Sequence, residues 1–327
     1  MRIAFLGSGE FGLPTLKALF ERHEVVGVVS QPDRPAGRGV ALTPTPIAAW
    51  VQEQSAGTPL IKPEDVNQPA VTAEIHAWKP QAMVVIAFGQ KLSPELVDPA
   101  RVGTAINLHA SLLPRWRGAA PINWAILGGD TTTGNSVISI AARMDAGLIY
   151  ATSRRPILPT QTAGELHDLL SGDGPELVLG VVEAIGRGTA TGGAQDESLK
   201  TRAPKLNRAM AVLDFAASAE ECRRKVNGLS PWPGVTVGFR SQPLKILRAG
   251  SVGASGGGSG GTPGAIVDVG QGLVACGEGQ LQLLEVQPAG KRVMLWRDFA
   301  NGHQVRSQEV LGPPPGTASG PAGATTA

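Results

Sequence analysis

Short apolar runs alternate with amphipathic segments through the first half of the chain. Residues 2–6 and 83–88 are almost wholly apolar, which is typical of parallel strands that are covered on both faces. Hydrophobic positions three or four apart predict helices over residues 14–22 and 71–78. The alternation predicts an α/β domain over residues 1–186, with a doubly wound, mostly parallel, Rossmann-like sheet.

The pattern changes after residue 206, where short alternating strands are separated by turns that contain glycine. Predicted strands cover residues 235–239, 244–248, 265–269, 272–276 and 281–286. With a capped helix that begins after Ser218, they predict a small C-terminal β-barrel domain of OB type over residues 207–311. Residues 187–206 are expected to be a linker, and residues 312–327 a disordered tail.

Composition excludes some classes of protein but does not identify this one. Hydrophobic residues make up 42% of the chain, and no apolar run is long enough to span a membrane. The first strand begins at once, so we expect no secretory signal, and the two cysteines have no metal-ligand spacing. We therefore expect a cytoplasmic protein without a metal.

The charge is unevenly distributed. Residues 1–200 hold 16 basic and 19 acidic residues, a net −3, whereas residues 201–327 hold 13 and 8, a net +5. The excess predicts that the C-terminal part contacts a polyanion, although a charge of this size also suits an ordinary soluble surface.

The first predicted turn contains a dinucleotide-binding pattern. Residues 7–12 read Gly-Ser-Gly-Glu-Phe-Gly, and Asp33 follows about 20 residues later. A tight turn with a closely packed helix selects the same glycines, and Pro32 displaces Asp33 from the strand end that a ribose contact requires. We favour the interpretation that these glycines serve chain geometry.

A second turn, over residues 106–121, carries candidate chemistry. Side chains two apart on a strand share a face, so Asn107 and His109 are expected to point the same way, with Leu108 directed into the core. An amide donor beside an imidazole suits stabilisation of an oxyanion and transfer of a proton. The alternative is a polar strand end without chemistry.

The motif Asn-x-His-x-Ser-Leu-Leu-Pro at residues 107–114 resembles the signature of formyltransferases that use 10-formyltetrahydrofolate. The resemblance extends over residues 1–311. It implies the fold described above, and it implies Asp145 as a third catalytic residue beside Asn107 and His109. The continuation Arg-Trp-Arg-Gly-Ala-Ala-Pro-Ile at residues 115–122 is similar to the branch of the family that acts on methionyl-tRNA.

The same resemblance implies which residues contact the folate co-substrate. These come from the turn after the central strand and from the signature itself, and they are Phe88, Gly89, Gln90, Leu92, Ser111, Leu112, Leu113 and Pro114. An ordinary strand-to-helix turn is the alternative for residues 88–92.

The resemblance also implies contacts with tRNA. The loop at residues 31–39 matches a family loop that contacts the acceptor end, although Val40 and Ala41 stand where relatives often carry lysine. Basic residues of this loop and of the second domain are the candidates, namely Arg34, Arg38, Lys205, Arg208, Arg223, Arg224 and Lys225.

Several alternatives remain open from the sequence. The formyl acceptor could instead be glycinamide ribonucleotide, an amino sugar or water. A nicotinamide-dependent oxidoreductase would use the first turn but would leave residues 107–121 without a role. A non-catalytic tRNA-binding protein would need neither Asn107 nor His109. The other histidines are expected to be surface or packing residues, and the protein is expected to be a monomer.

Overall fold

The computed structural model describes residues 1–36, 41–55, 57–253 and 261–314. The chain divides into two compact units. The first contains residues 1–122, 132–156 and 165–205, and the second contains residues 123–131, 157–164 and the chain from Leu206 onward. Two short segments of the predicted first domain thus belong to the second unit.

The elements up to Lys205 occur in this order: β1 Arg2–Gly7, α1 Leu13–Arg22, β2 Glu24–Val29, β3 Arg34–Ala36, β4 Ala41–Thr43, α2 Pro46–Gln54, β5 Leu60–Ile61, α3 Pro69–Ala77, β6 Ala82–Ile86, α4 Pro99–Val102, β7 Thr104–His109, β8 Arg117–Gly118, α5 Pro121–Leu127, β9 Thr132–Thr133, β10 Ser136–Ser139, β11 Ile149–Thr152, β12 Arg155–Pro156, α6 Ala163–Gly186 and β13 Arg202–Ala203.

A seven-stranded sheet forms the first unit, in the order β11-β10-β7-β6-β1-β2-β5. The five strands from β7 to β5 are parallel to their neighbours, and β10 and β11 add an antiparallel edge. Every residue of β6 is buried, as are Ile3 and Phe5 of β1. This confirms the predicted α/β domain with its mostly parallel sheet.

Two features of this unit form in spite of proline residues. Arg34–Ala36 and Ala41–Thr43 are the short antiparallel strands β3 and β4, in which Pro35 lies opposite Leu42. The helix α6 continues through Pro175. Buried Leu170 and Val178 anchor α6 on both sides of the proline, so packing outweighs the lost backbone hydrogen bond.

The second unit contains α7 Ala219–Gly228, β14 Val235–Phe239, β15 Gln242–Val252, β16 Ile266–Asp268, β17 Leu273–Ala275, β18 Gln280–Pro288, β19 Met294–Leu295 and α8 Trp296–His303. Its strands are antiparallel, in the order β14-β15-β18-β17-β16 with β19 paired to β18. A capping box between Ser218 and Glu221 begins α7, as the sequence predicted. The antiparallel β domain is confirmed, and its OB type stays a prediction. Most of the predicted tail, residues 315–327, lies outside the described residues.

Candidate active site

Strand β7 places Asn107 and His109 at the carboxyl end of the parallel sheet. Asn107 lies opposite Val85 of β6 and Ile138 of β10. Leu108, on the other face, is buried in the core. The Asn107 side-chain amide is partly exposed and makes no hydrogen bond with the described part of the chain, so it is free to donate to a ligand.

His109 is buried and held in one orientation. Its Nε2 lies 2.9 Å from the backbone oxygen of Trp116. A carbonyl oxygen only accepts, so Nε2 carries the hydrogen and donates it. The Trp116 backbone is left-handed, with φ of 64°. The other ring nitrogen, Nδ1, lies 3.7 Å from Asp145 Oδ1, which makes it the nitrogen able to gain a proton.

Asp145 reaches the imidazole from the loop between β10 and β11. Its backbone is left-handed, with φ of 54°, a conformation that Asp tolerates better than most residues. The carboxylate Oδ2 accepts a 2.8 Å hydrogen bond from the backbone N–H of Gly118. The structure therefore brings together the three residues that the resemblance implied, including one whose distance no sequence spacing could establish.

Buried polar contacts hold the turn after β7. The Ser111 hydroxyl donates to Arg115 O at 2.6 Å. Ser136 on β10 donates to Ser111 O at 2.7 Å and accepts from the Leu113 N–H at 3.1 Å. Ser111 and Leu113 are buried, whereas Leu112 and Pro114 are partly exposed. Of the four predicted folate contacts in this turn, the side chains of Leu112 and Pro114 are therefore the better placed to touch a ligand.

The turn after β6 uses its predicted folate-binding side chains mainly within the protein. Phe88 is packed into a hydrophobic cluster, and its carbonyl accepts from Gln31 Nε2 at 3.0 Å. Gln90 accepts from the Val66 N–H at 2.8 Å and donates to Pro63 O at 3.1 Å. Leu92 packs partly against the same cluster. Gly89 has a φ of 86° and no side chain, so it does not cover the main chain of this turn.

The first turn serves packing. A Cβ on Gly7 would lie 2.6 Å from Phe5 Cε1 and 2.8 Å from Ile86 O, so no larger residue fits. Asp33 is engaged by Lys62, whose Nζ donates to both carboxylate oxygens at 2.8 Å. Neither observation favours a dinucleotide there, which agrees with the interpretation made from the sequence.

The predicted tRNA contacts differ in how free their charges are. Arg34 pairs with Glu64 at 2.7 Å, and Arg38 lies outside the described residues. Arg223 and Arg224 both bind Glu220, and their hydrogen bonds lower the pKa of Glu220 to about 2.

Three further candidates carry freer charges, because Lys205, Arg208 and Lys225 form no ion pair within the described ranges. Of the basic run on α7, the paired arginines therefore offer less charge to a polyanion than Lys225 does.

Sequence reasoning missed one part of the site, because it treated residues 187–206 as a linker. In the structure β13 pairs with β8 in parallel, and Thr201 binds the backbone N–H groups of Trp116 and Arg117. Gln195 binds the Asp145 loop. No periodicity marks this polar segment, so the sequence held no signal for these contacts.

In the ranges that the structure covers, no three His, Cys, Asp or Glu side chains are grouped as metal ligands. No helix in those ranges is long and apolar enough to cross a membrane.

An amide donor beside a buried imidazole–carboxylate pair, at the carboxyl ends of the strands of a doubly wound α/β sheet, is an arrangement suited to acyl transfer. Matches to family models identify the class of protein more narrowly. The model described as formyl transferase matches residues 1–182, and the model of the formyl transferase C-terminal domain matches residues 205–304. The chain belongs to the formyl transferase family.

Curated relatives match the chain along almost its whole length. A methionyl-tRNA formyltransferase of Pseudomonas paraeruginosa (strain PA7) is 40% identical over 95% of this chain and 100% of its own. A protein of the same name from Methylococcus capsulatus is 38% identical over 95% and 99%.

Solved structures share the fold at low sequence identity. The sugar 3N-formyl transferase WlaRD, determined with dTDP and 5-N-formyl-THF, has a TM-score of 0.65 at 13% identity and covers 89% of this chain and 99% of its own. HypX from Aquifex aeolicus, in complex with tetrahydrofolic acid, has a TM-score of 0.62 at 17% identity over 94% of this chain and 48% of its own.

Proposed function

We propose that this chain transfers the formyl group of 10-formyltetrahydrofolate to the α-amine of methionyl-tRNA. The observation that carries the proposal is the arrangement at the end of β7, where the free amide of Asn107 lies beside the His109–Asp145 pair. The full-length match to methionyl-tRNA formyltransferases supports this choice of donor and acceptor.

Asn107 stabilises the charge that develops during the reaction. The α-amine attacks the formyl carbon, a carbon–nitrogen bond forms, and the carbonyl oxygen becomes an oxyanion. The Asn107 amide donates a hydrogen bond to that oxygen. One donor of this kind lowers the barrier by roughly 2.7–4 kcal/mol, because it points at the charge before the charge appears.

His109 and Asp145 move the proton. Because Nε2 is committed to Trp116 O, the proton from the attacking amine is taken up at Nδ1. Asp145 stabilises the resulting imidazolium from 3.7 Å. The proton then passes to the leaving nitrogen of the folate as its bond to the formyl carbon breaks. The products are tetrahydrofolate and formylmethionyl-tRNA.

The folate contacts belong to the same proposal. The main chain of residues 88–90 and the side chains of Leu92, Leu112 and Pro114 lie on the turns after β6 and β7. In open α/β sheets, ligands bind at the carboxyl ends of neighbouring parallel strands. Ser111 and Leu113 contribute by holding the second turn, through their hydrogen bonds with Arg115 and Ser136.

The second unit supplies the contacts for the tRNA backbone in this proposal. Its part of the chain carries the positive excess, with a net +5 over residues 201–327. Exposed Arg208 and partly exposed Lys225 are its freest predicted contacts, and Lys205 lies just before it. Phosphate contacts make the affinity fall with salt, so the KM for methionyl-tRNA should rise with ionic strength while that for folate changes little.

A panel of acceptors tests the assignment. Purified protein is given 10-formyltetrahydrofolate with methionyl-tRNA, free methionine, a nucleotide-linked amino sugar, or buffer alone. We expect formyl transfer only to methionyl-tRNA. Faster transfer to the amino sugar, or hydrolysis at the same rate in buffer, would reassign the acceptor. Sedimentation and cell fractionation test the accompanying proposals of a cytoplasmic monomer.

A further inference from the structure

Gln195 contacts the loop that carries the candidate catalytic carboxylate. Its Nε2 donates one hydrogen bond to Asp145 O and another to Gly147 O, both at 2.8 Å. A single amide group thus bridges the backbone on both sides of Ala146. The loop needs such support, because Asp145 is in the left-handed region at φ of 54° and the preceding Met144 is exposed.

Arg117 fixes the orientation of the Gln195 amide. Its Nε and Nη2 donate to Gln195 Oε1 at 3.0 and 2.7 Å. Because a guanidinium only donates, the amide oxygen must face Arg117 and the amide NH₂ must face the loop. Both hydrogens and both lone pairs of the Gln195 amide are then used, so the side chain has one satisfied orientation.

Glu197 in turn orients Arg117. Arg117 Nη2 donates to Glu197 Oε1 at 2.8 Å, and this bond, with one from Lys200, lowers the pKa of Glu197 to about 2. Arg117 is itself well buried, with 11% of its side chain exposed. The glutamate is therefore ionised at neutral pH and holds the guanidinium towards Gln195.

Strand β8, which consists of Arg117 and Gly118, is linked to both the backbone and the carboxylate of Asp145. Arg117 reaches the Asp145 backbone through Gln195, and the N–H of Gly118 binds the Asp145 carboxylate at 2.8 Å. Strand β8 is held by β13, and a Cβ on Gly118 would lie 2.5 Å from Ala203 O. The carboxylate is thus positioned by residues 195–203, which follow it by at least 50 residues.

We infer that Gln195 is a positioning residue for formyl transfer, which holds the Asp145 carboxylate at its distance from His109 by bridging Asp145 O and Gly147 O under the control of Arg117. The inference rests on the proposed function. Gln195 touches no reacting atom. Its loss would let the loop relax from its left-handed turn and carry the carboxylate away from Nδ1.

The test compares Gln195→Ala and Gln195→Glu with the wild type. A glutamate keeps the volume and the bonds from Arg117, but it has no NH₂ to donate to the two carbonyls. Gln81→Ala is the matched control, because it removes a glutamine side chain that accepts a hydrogen bond from the Arg2 N–H. This bond lies at the amino ends of strands β1 and β6, away from the candidate active site. Each protein is assayed for kcat per active site, for the KM of both substrates and for thermal unfolding.

We expect kcat to fall about 10²-fold in both Gln195 variants, which is the loss in rate for a catalytic group displaced by about 1 Å. Both KM values should stay within a few fold of the wild-type values. A residue that only supports folding would lower the unfolding temperature and the fraction of active enzyme, and the kcat per active site would stay at the wild-type value.

The outcomes separate the inference from the proposed function. A wild-type protein that forms no formylmethionyl-tRNA contradicts the proposed function itself. An active wild type with Gln195→Glu as fast as Gln81→Ala, or with an unchanged kcat per active site in both Gln195 variants, overturns the positioning role alone.

Discussion

Two turns of the same parallel sheet contain short motifs rich in small and polar residues, and they serve different purposes. After β1, Gly7 lies against Phe5 and the backbone of Ile86, with no space for a side chain. At the end of β7, Asn107 offers a free amide and His109 faces a carboxylate. The first motif is explained by packing alone, whereas the second is not.

The difference shows how to weigh a motif. A glycine pattern marks positions where the backbone lies so close to neighbouring atoms that no side chain fits, and many folds contain such positions. Polar side chains at the end of a buried strand cost free energy when they are removed from water, so they need partners or a ligand. His109 has protein partners in Trp116 O and Asp145, whereas Asn107 has none within the described residues. We therefore propose that the chemistry belongs to the second turn.

The largest effect should come from His109→Ala. Loss of the group that moves the proton should lower kcat by roughly 10²–10⁴-fold. His76→Ala is the control, because it also removes a ring nitrogen that lies near a backbone carbonyl, 3.2 Å from Leu96 O. Steady-state formyl transfer measures both. A His109→Ala enzyme as active as His76→Ala would place the proton transfer elsewhere.

Asn107→Ala should lower kcat by about 10²–10³-fold, which is the loss in rate expected when one hydrogen-bond donor to the oxyanion is removed. Its unfolding free energy should not change, because the amide has no partner to lose among the described residues. Asn135→Ala provides the contrast, since that buried amide donates to Leu170 O at 2.8 Å. Urea unfolding beside kinetics should show a stability loss for Asn135→Ala. An equal stability loss at Asn107 would indicate a structural role.

Gly7→Ala should act in the opposite way to Asn107→Ala. The added methyl group meets Phe5 and Ile86 O, so overpacking should lower the unfolding free energy by about 1–3 kcal/mol. The kcat of the folded fraction should equal that of the wild type. Denaturant unfolding and active-site titration measure the two quantities. An unchanged stability with lost activity would move the chemistry to the first turn.

The smallest effect is expected for Asp33→Asn. Its pair with Lys62 is partly exposed, with 24% and 28% of the side chains accessible, and such pairs contribute roughly 0–1 kcal/mol. Thermal unfolding and folate KM should both stay near the wild-type values. If the wild type bound NADH and Asp33→Asn did not, the dinucleotide interpretation would be correct instead.

The fold and two catalytic candidates were predictable because they depend on local periodicity. Apolar runs marked the strands, and strand alternation put Asn107 and His109 on one face. Asp145 needed the family resemblance, because a left-handed loop brings it to His109 across 36 residues of chain. Gln195 lies a further 50 residues on in a polar segment without a pattern.

The ion pairs on α7 did have a signal in the sequence. Glu220 precedes Arg223 and Arg224 by three and four residues, which is the spacing of ion pairs on one helix face. The structure forms both pairs. The predicted tRNA contacts on α7 therefore comprise two paired arginines and Lys225, which forms no ion pair within the described residues.

The most direct test measures single-turnover formyl transfer to methionyl-tRNA by Asn107→Ala and Gly7→Ala side by side, at saturating folate. We predict that Asn107→Ala loses about 10²–10³-fold in rate with a wild-type unfolding midpoint. We also predict that folded Gly7→Ala reacts at the wild-type rate with a lowered midpoint. A full rate from Asn107→Ala would contradict the assignment of the chemistry to the end of β7.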